Sequence, residues 1–323
     1  MPAVDPTQPA RGAAPDLQRL LALRFPARQL DIRRRSRALA QLAGRQRSNF
    51  RGRGLEFEEV RGYQAGDDIR AIDWRVTART GAAHTKLFHE ERERPVLLLV
   101  DQRAAMQFGS RHCFKAVLAA ELAALLAWSA LGASERIGAL LVWEERHREL
   151  RPRNSRRSVL ALLAALAGSD DGAASGAEPL SFADMLLTAR RIARPGSSLF
   201  LISDFHDAAA EGAREQLFQL ARHTEITAIH CADPLEETLP PPGRYAVTDG
   251  SARCELDTAL PALRRAFEAE RRALREQLRE QLQRLAIPLL EASTDASPLR
   301  TLQRYFAGRS EERRVGKECA TGC

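Results

Sequence analysis

The sequence predicts an α/β protein built on a doubly wound, mostly parallel β-sheet. Two continuous aliphatic runs, 96–100 and 198–203, have the pattern of strands that are buried on both faces. Each run is followed at once by an acid, Asp101 or Asp204, and then by an amphipathic helical segment. Strands that alternate with helices of roughly 10–15 residues are typical of parallel sheets, so the pattern favours this class.

The periodicity of apolar residues predicts the other elements in turn. Helices are predicted at 112–131, 155–167, 181–193, 208–222, 258–285 and 298–306. Strands are predicted at 136–143, at 147–151 as its hairpin partner, at 225–231, at 245–247 as a short edge strand and at 287–291. Before residue 95, the predicted elements are helices 16–24 and 30–42, strand 55–63 and a short helix 69–79.

The long helix 258–285 is predicted to pack on the sheet rather than against a coiled-coil partner. Its apolar residues fall on one face at helical spacing. These residues are Leu260, Leu263, Phe267, Leu274, Leu278, Leu282 and Leu285.

The composition indicates a soluble globular protein. Of its 323 residues, 44% are hydrophobic, which excludes a chain that is disordered throughout. The 49 basic and 42 acidic side chains leave a formal charge of +7, and nearly all the basic residues are arginine. The five cysteines form no Cys-x-x-Cys pair, so neither a zinc site nor a disulfide framework is predicted.

We expect no transmembrane segment. The longest apolar stretch, 116–131, contains Glu121 and is shorter than the roughly 20 residues that a membrane-spanning helix needs. A cytoplasmic location follows, either free or peripheral to the membrane.

Four regions are predicted along the chain. Residues 1–27 form a disordered, basic leader, 28–94 form a polar N-terminal extension, and 95–308 form the α/β domain. Residues 309–323 begin with a string that matches a translated sequencing-library adapter, so we exclude them from the fold prediction.

The two strand-end acids form the first candidate site. In a parallel sheet the crevice lies outside the carboxyl ends of the strands, so Asp101 and Asp204 should both lie there. Carboxylates with nearby hydroxyls could bind Mg²⁺, which prefers oxygen ligands. The run Asp101-Gln-Arg103-Ala-Ala105 resembles the Asp-x-Ser-x-Ser metal motif of von Willebrand factor A-like domains, but both serines are missing.

This resemblance implies a degenerate metal site. The threonine of the family's site should fall near Leu180 or Ser181, where the match is poor. We therefore predict no cofactor, with Mg²⁺ bound only if the degenerate site still holds it. Our hypothesis is that Arg103 takes the place of the ion by pairing with Asp101 or Asp204, because the planar guanidinium can bind carboxylates with two parallel hydrogen bonds. The alternative is that Arg103 points into solvent.

A dense polar block at residues 52–79 is the strongest motif. Its acids and arginines surround Trp74, and such a network either clamps the segment onto the sheet or forms a docking surface or ligand pocket. The runs Gly-x-Gly-x-Glu-Phe, Arg-x-Tyr, Gly-Asp-Asp-x-Arg-x-Ile-Asp-Trp and Thr-Ala-Arg, with a downstream Glu, resemble domain-of-unknown-function family 58. The matching residues are Gly52, Gly54, Glu56, Phe57, Arg61, Tyr63, Gly66, Asp67, Asp68, Arg70, Ile72, Asp73, Trp74, Thr77, Ala78, Arg79 and Glu90.

The resemblance spans roughly residues 30–300 and implies a von Willebrand factor A-like, Rossmann-type sheet. It also implies a MoxR-type AAA+ ATPase as partner, together with an unknown client protein, but no reaction. Because the sequence has no Gly-x-x-x-x-Gly-Lys-[Ser/Thr] loop, an ATP-driven step would have to come from that partner. We interpret the chain as a non-enzymatic protein-interaction module, an adaptor or co-chaperone in the assembly or maturation of a client.

Two alternatives stay open. The first is a hydrolase that uses Asp67, Asp68 or Asp73, although the arginines around these acids should keep them ionised. The sequence also lacks a Gly-x-Ser-x-Gly elbow and a recognisable catalytic spacing of Cys and His. The second is nucleic-acid binding through the nine arginines from Arg28 to Arg53, but no known reader motif is present, so we do not expect a nucleic-acid partner.

Overall fold

The protein is described by a computed structural model that covers residues 5–32, 55–64, 72–90, 95–168, 178–248 and 253–307. The chain forms two compact units. The larger comprises Met1–Arg35 and Arg94–Cys323, and the smaller comprises Ser36–Glu93. The larger unit is therefore assembled from two separate stretches of sequence, and the smaller unit is inserted between them.

The larger unit is built on a six-stranded sheet. Its strands are β3 (Val96–Asp101), β4 (Ile137–Val142), β5 (His147–Arg153), β6 (Ser198–Ser203), β7 (Glu225–Ala232) and β10 (Leu289–Ser293). The spatial order is β10-β7-β6-β3-β4-β5, and all neighbours are parallel except β4 and β5, which form the predicted antiparallel hairpin. The predicted doubly wound, mostly parallel α/β sheet is confirmed.

Helices cover both faces of this sheet. They are α1 (Leu17–Ala22), α3 (Lys115–Gly132), α4 (Arg156–Ala167), α5 (Phe182–Ile192), α6 (Glu211–Ala221), α7 (Pro234–Glu237), α8 (Pro261–Arg284) and α9 (Pro298–Ala307). Strand β3 shows why the strands read as continuous aliphatic runs. Leu98 and Val100 belong to the apolar core on one face, whereas Leu97 and Leu99 belong to the core on the other.

Helix α3 lies at the centre of one of these cores. It is apolar on all sides, which is the pattern of a helix surrounded by other elements. Among the described residues, it is the one helix long and apolar enough to cross a membrane by length and composition, and 89% of that window is buried inside the protein. Its hydrophobicity is accounted for by its position in the core.

The prediction of a disordered leader at 1–27 is wrong for residues 5–27, which are ordered on α3. The indole N–H of Trp128 donates to the carbonyl of Leu20, and the Ser129 hydroxyl donates to the carbonyl of Leu30. The side chains of Leu20 and Leu23 are almost fully buried. The Pro- and Ala-rich composition suggested disorder. The apolar residues of this segment, however, cover helix α3, whose own apolar side chains would otherwise be exposed to water.

Two further expectations are corrected. Helix α8 packs on the sheet mainly through its C-terminal end, where Leu282 is buried, whereas Leu260 and Leu274 are 55% and 46% exposed. The strand predicted at 245–247 is β8 (Arg244–Thr248), which lies outside the central sheet and pairs with β9 (Arg253–Asp257) in a separate hairpin.

The smaller unit contains a second hairpin and a short helix. Strand β1 (Leu55–Gly62) pairs antiparallel with β2 (His84–Glu90), and α2 (Trp74–Thr80) lies between them in sequence. The predicted strand 55–63 and the C-terminal part of the predicted helix 69–79 are confirmed. The helix predicted at 30–42 lies almost entirely outside the described residues, as do residues 308–323.

Candidate functional site

The candidate site lies at the carboxyl ends of β3 and β6, in the crevice predicted for it. Asp101 is the last residue of β3, and Asp204 directly follows β6. Asp101 is fully buried and Asp204 is 8% exposed. After Asp204 the chain turns sharply through Phe205, whose φ of 58° lies in the left-handed region. This turn brings Asp207 back towards the end of β3.

Arg103 occupies the centre of this crevice. Its guanidinium donates from Nε and Nη2 to the two oxygens of Asp101, at 3.1 and 2.9 Å. From Nη1 and Nη2 it donates to the two oxygens of Asp207, at 2.9 and 3.0 Å. A further bond from Nη1 reaches the carbonyl of Leu180 at 3.0 Å. All five guanidinium N–H donors are therefore satisfied, in a side chain that is 4% exposed.

The carboxylate of Asp101 is saturated as well. Besides the two guanidinium bonds, it accepts the backbone N–H of Arg103 at 3.0 Å and the hydroxyl of Ser203 at 2.7 Å. A carboxylate offers about four lone-pair positions, and all are used by the chain itself. Ala105 has no hydroxyl to offer as a ligand. The residues at this edge therefore do not fit Mg²⁺ ligation, because a guanidinium occupies the oxygens that would hold the ion.

A second buried cation neutralises Asp204. Lys115, the first residue of α3, donates from Nζ to Asp204 at 2.8 Å and to Glu236 on α7 at 2.6 Å. Its side chain is 1% exposed. Burial alone would lower the pKa of Lys115, but the two carboxylates outweigh it and raise the pKa, so the ammonium stays charged.

Burial and pairing also set the protonation of the acids. Burial alone would raise the pKa of Asp204, yet hydrogen bonds from His206 and the charge of Lys115 hold it well below its usual range. Burial likewise opposes ionisation of Asp207, and the hydrogen bonds from Arg103 and the backbone of Phe182 lower its pKa. The same carboxylates raise the pKa of Arg103 against its burial. The crevice thus holds fixed ion pairs at neutral pH.

His206 stands at the exposed rim of the crevice. Its Nδ1 lies 3.2 Å from an oxygen of Asp204 and 3.6 Å from an oxygen of Asp207, and half of its side chain is exposed. The hydrogen bond with Asp204 raises the pKa of His206 above its usual value, in spite of partial burial. His206 is therefore positioned between the pair formed by Arg103 and the pair formed by Lys115.

The hypothesis that Arg103 pairs with Asp101 or Asp204 is confirmed through Asp101. The second acid that binds the guanidinium is Asp207, because Asp204 is already engaged by Lys115. The loop predicted to carry the family's threonine does reach the crevice, but it contributes the carbonyl of Leu180. The Ser181 side chain instead caps α5 in a capping box with Asp184.

The polar block of residues 52–79 is described in part. Asp73 is the N-cap of α2, where its carboxylate accepts the backbone N–H groups of Arg75 and Val76 at 3.0 and 3.2 Å. The Thr77 hydroxyl accepts the backbone N–H of His84 at 3.0 Å. Trp74, in the first turn of the helix, is 66% exposed. The helix thus presents Trp74 to solvent, and Asp67, Asp68 and Arg70 of the network predicted around it lie outside the described residues.

The other motif residues contribute less. Tyr63 lies at the end of the hairpin, where its backbone N–H donates to Ala83 at 2.8 Å, and Ile72 forms an isolated bridge with Thr85. Ala78 and Arg79 lie on the exposed side of α2. Glu56, Phe57, Arg61 and Glu90 are placed in the two strands by their backbone. Gly52, Gly54, Gly66, Asp67, Asp68 and Arg70 lie outside the described residues.

Comparison with known families decides the affiliation of the chain. A family model described as "Protein of unknown function DUF58" matches residues 59–277. The chain belongs to this family. The DUF58 match contains most of the motif that suggested the resemblance, together with the whole crevice built around Arg103.

The curated relatives that match this chain are described as uncharacterised proteins. The protein Rv1480 of Mycobacterium tuberculosis is 31% identical over 259 residues, which is 80% of this chain and 80% of the relative.

Among solved structures, the conserved hypothetical protein BatB from Bacteroides thetaiotaomicron covers 68% of this chain and 99% of its own, at 12% identity and a TM-score of 0.40. A von Willebrand factor type A structure from Catenulispora acidiphila covers 46% of this chain and 35% of its own, at 12% identity and a TM-score of 0.31.

Sequence reasoning missed five residues of the crevice in this DUF58 chain: Lys115, Ser203, His206, Asp207 and Glu236. Lys115 gave a signal that could have been used, because it is one of three lysines in the whole chain and begins its most apolar helix. Asp207 follows Asp204 by three residues. Its side chain reaches Arg103 because of the left-handed turn at Phe205, which no residue pattern in the sequence predicts.

Proposed function

We propose that this DUF58 chain is a non-enzymatic protein-interaction module that serves as an adaptor or co-chaperone for a MoxR-type AAA+ ATPase, in the assembly or maturation of a client protein. The observation that carries the proposal is the mutual neutralisation of charges in the crevice. Arg103 engages Asp101 and Asp207, and Lys115 engages Asp204. A general acid or base needs a group that can exchange a proton with substrate, whereas these groups are tied to one another. We place the module in the cytoplasm, either free or peripheral to the membrane.

The exposed Trp74 supports a docking role for the family motif. Tryptophan is enriched among the residues that dominate binding energy at protein interfaces. The helix that carries it is fixed at its start by the Asp73 cap and at its end by Gly81, whose φ of 73° closes the helix in the left-handed region. A helix that is capped at both ends and exposes an indole suits recognition better than an internal clamp.

The experiment is a binding assay with the purified MoxR-type ATPase of the same organism. Trp74→Ala is compared with Phe25→Ala, since both side chains are 66% exposed. We expect Trp74→Ala to weaken binding at least about tenfold, as loss of a buried interface aromatic does, and Phe25→Ala to leave it unchanged. Thermal unfolding of both variants confirms that they stay folded.

Four results would oppose the proposal. Equal binding by both variants would remove Trp74 from the interface, and unfolding of Trp74→Ala would assign the motif to architecture. Absence of any interaction between the wild-type chain and the ATPase would reject the adaptor role itself. Turnover of a small substrate that a single acid variant abolishes would favour the hydrolase alternative.

A further inference from the structure

Positive charge is concentrated along one edge of the central sheet. Residues 146–157, which form β5 and the start of α4, contain six arginines and one acid, Glu149. The whole chain, by contrast, has 49 basic and 42 acidic residues. We use the name basic edge for five of these residues: Arg148, Arg151, Arg153, Arg156 and Arg157. The sequence prefers arginine to lysine throughout, but that preference alone does not explain why acids are scarce in this segment.

The guanidinium groups of the basic edge are exposed and, within the described parts of the chain, form no ion pair. Helix α8 shows the contrast. There Arg275 pairs with Glu237 at 2.6 Å, and Arg279 pairs with Glu291 at 2.7 Å. These two arginines of α8 thus lie beside acids, whereas the arginines of the basic edge form no such pair within the described residues, although Glu144, Glu145 and Glu149 are near them in sequence.

The placement is also locally unfavourable. Arg156 and Arg157 occupy the first turn of α4, which contains no acid, and the positive end of the helix dipole repels them. Arg153, at the end of β5, adds a third like charge close by in sequence. Residues that break a local rule of this kind without a compensating partner often mark a functional surface.

The basic edge borders an open strand. Strand β5 is the last in the sheet order, so no described strand pairs with its outer side. The backbone groups on that side can be satisfied by an added strand as well as by water. Pro152 has no N–H to donate, so an added strand would run beside residues 147–151. A second copy of this chain would bring the same arginines against themselves and be repelled.

We propose that the basic edge binds an acidic, extended segment of a partner protein, which adds to the sheet alongside β5. Carboxylates of that segment would pair with Arg148, Arg151 and Arg153, and its backbone would bond to the open side of the strand. The inference deepens the interaction role proposed above and rests on it for its biological purpose. Its physical test does not involve the ATPase.

The test uses fluorescein-labelled eight-residue peptides and fluorescence anisotropy with the full chain. The first peptide alternates Glu and Val, the second alternates Glu and Pro, and the third alternates Lys and Val. We expect the Glu/Val peptide to bind and the Lys/Val peptide not to bind. We expect the Glu/Pro peptide to bind at least about tenfold more weakly, because proline cannot donate hydrogen bonds to a strand.

The surface is assigned by two variants with the same change in charge. The variant R148E/R151E/R153E reverses the basic edge, and R214E/R265E/R272E reverses three exposed arginines that lie on α6 and α8. We expect the first variant to weaken Glu/Val binding at least about tenfold and the second to change it less than about twofold, because screened charges far from the site contribute little.

Several outcomes would overturn the inference. Equal binding of the Glu/Val and Glu/Pro peptides would show charge attraction without strand addition. Equal loss in the two triple variants would show a general effect of net charge. Tighter binding of a single-stranded oligonucleotide or of anionic vesicles than of the Glu/Val peptide would identify a different class of polyanion. If the ATPase binds normally while the Glu/Val peptide does not bind, this inference fails and the adaptor role stands.

Discussion

The side chain of Arg103 has the role that a bound cation would have at this edge of the sheet: it neutralises the carboxylates of Asp101 and Asp207. Its five donors connect the end of β3, the loop before α5 and the loop after β6 through Asp101, Leu180 and Asp207. An isolated metal ion would need open ligand positions and water, whereas the guanidinium needs acceptors at fixed angles. The site is therefore specified by geometry that a residue other than arginine cannot reproduce.

Replacing Arg103 should destabilise the fold strongly. Arg103→Met leaves Asp101 and Asp207 facing each other without their cation, and removing one partner of a buried ion pair costs about 3–5 kcal/mol. Arg103→Lys should lose less, since it keeps the charge but lacks the planar donors. The free energy of unfolding in urea measures both. Arg265→Met, at an exposed position, is the control and should change stability by less than about 0.5 kcal/mol.

The same crevice makes a prediction about metal. Because the oxygens of Asp101 are saturated by the chain, titration of the wild-type protein with Mg²⁺ in a calorimeter should give no stoichiometric heat. Stoichiometric binding that is lost in Asp101→Ala would contradict the account of Arg103 given above.

His206 should make stability depend on pH. Its pKa is raised in the folded state, chiefly by the hydrogen bond with Asp204, so protonation favours folding. The contribution is fully present below the unfolded value of about 6.5 and is lost as pH rises through the higher folded value. Half of the side chain is exposed, so the effect should be small.

The measurement is the difference in urea midpoint between wild type and His206→Gln from pH 5.5 to 8.5. We expect the wild type to lose its advantage over the variant as pH rises. A difference that is constant across this range, or that grows with pH, would show that the contact with Asp204 does not favour the charged imidazole.

The sequence could place Asp101 and Asp204 in the crevice and offer Arg103 as a partner for Asp101, but it did not predict Asp207, Glu236 or the cation that meets Asp204. Asp101 and Asp204 each follow an aliphatic strand, and in a parallel sheet that position is sufficient to place them. The partner of each acid depends on side-chain directions that arise after folding. Lys115 reaches Asp204 from the first turn of α3, 89 residues away in sequence, and so Asp207 is left for Arg103.

Among the elements, the contact between the leader and α3 is one that the sequence did not reveal. Glu121 on α3 is 2% exposed, and within the described residues its charge is met by Arg19 of α1. Burial raises the pKa of Glu121, and the hydrogen bond from Arg19 opposes that rise. The leader thus supplies both apolar cover and the counter-ion for a buried acid.

A double-mutant cycle tests this contact. Arg19→Met should lower the free energy of unfolding by about 3–5 kcal/mol, because it leaves Glu121 buried and uncompensated. Glu121→Gln in the Arg19→Met background should recover part of that loss, since a neutral amide is less costly to bury. A neutral effect of Arg19→Met would mean that the leader is undocked in solution.

Elements with long apolar runs were predictable, whereas β2 and β9, two strands of mixed composition, were not predicted. The buried strands β3 and β6 and the apolar helix α3 are recognisable in the sequence as continuous apolar segments. Strand β2 contains His84, Thr85 and Lys86 among its first residues, and β9 is mostly exposed, so neither shows clear alternation. Helix α8 has a clear apolar face, but periodicity does not say how much of that face meets the sheet.

For the molecule as a whole, the order of the two units along the chain is the main structural result. The larger unit uses residues on both sides of the smaller one, as when one domain is inserted into a loop of another. The composition suggested a division into consecutive regions instead, with the leader separate from the α/β domain. The contact from Leu20 to α3 shows that the leader belongs to the larger unit.

This arrangement predicts the outcome of excising the smaller unit. Replacing residues 36–93 with a flexible Gly/Ser linker of about 20 residues should leave the larger unit folded, since loop closure costs change only slowly with length. The urea unfolding of this linker variant should stay cooperative. Deletion of residues 1–35, by contrast, should expose α3 and promote self-association, which gel filtration would detect. On the proposed adaptor role, the variant without residues 36–93 should no longer bind the ATPase, because Trp74 lies in the smaller unit. It should still bind the Glu/Val peptide, because the basic edge lies in the larger unit. Loss of cooperative unfolding on excision would show that the two units depend on each other for stability.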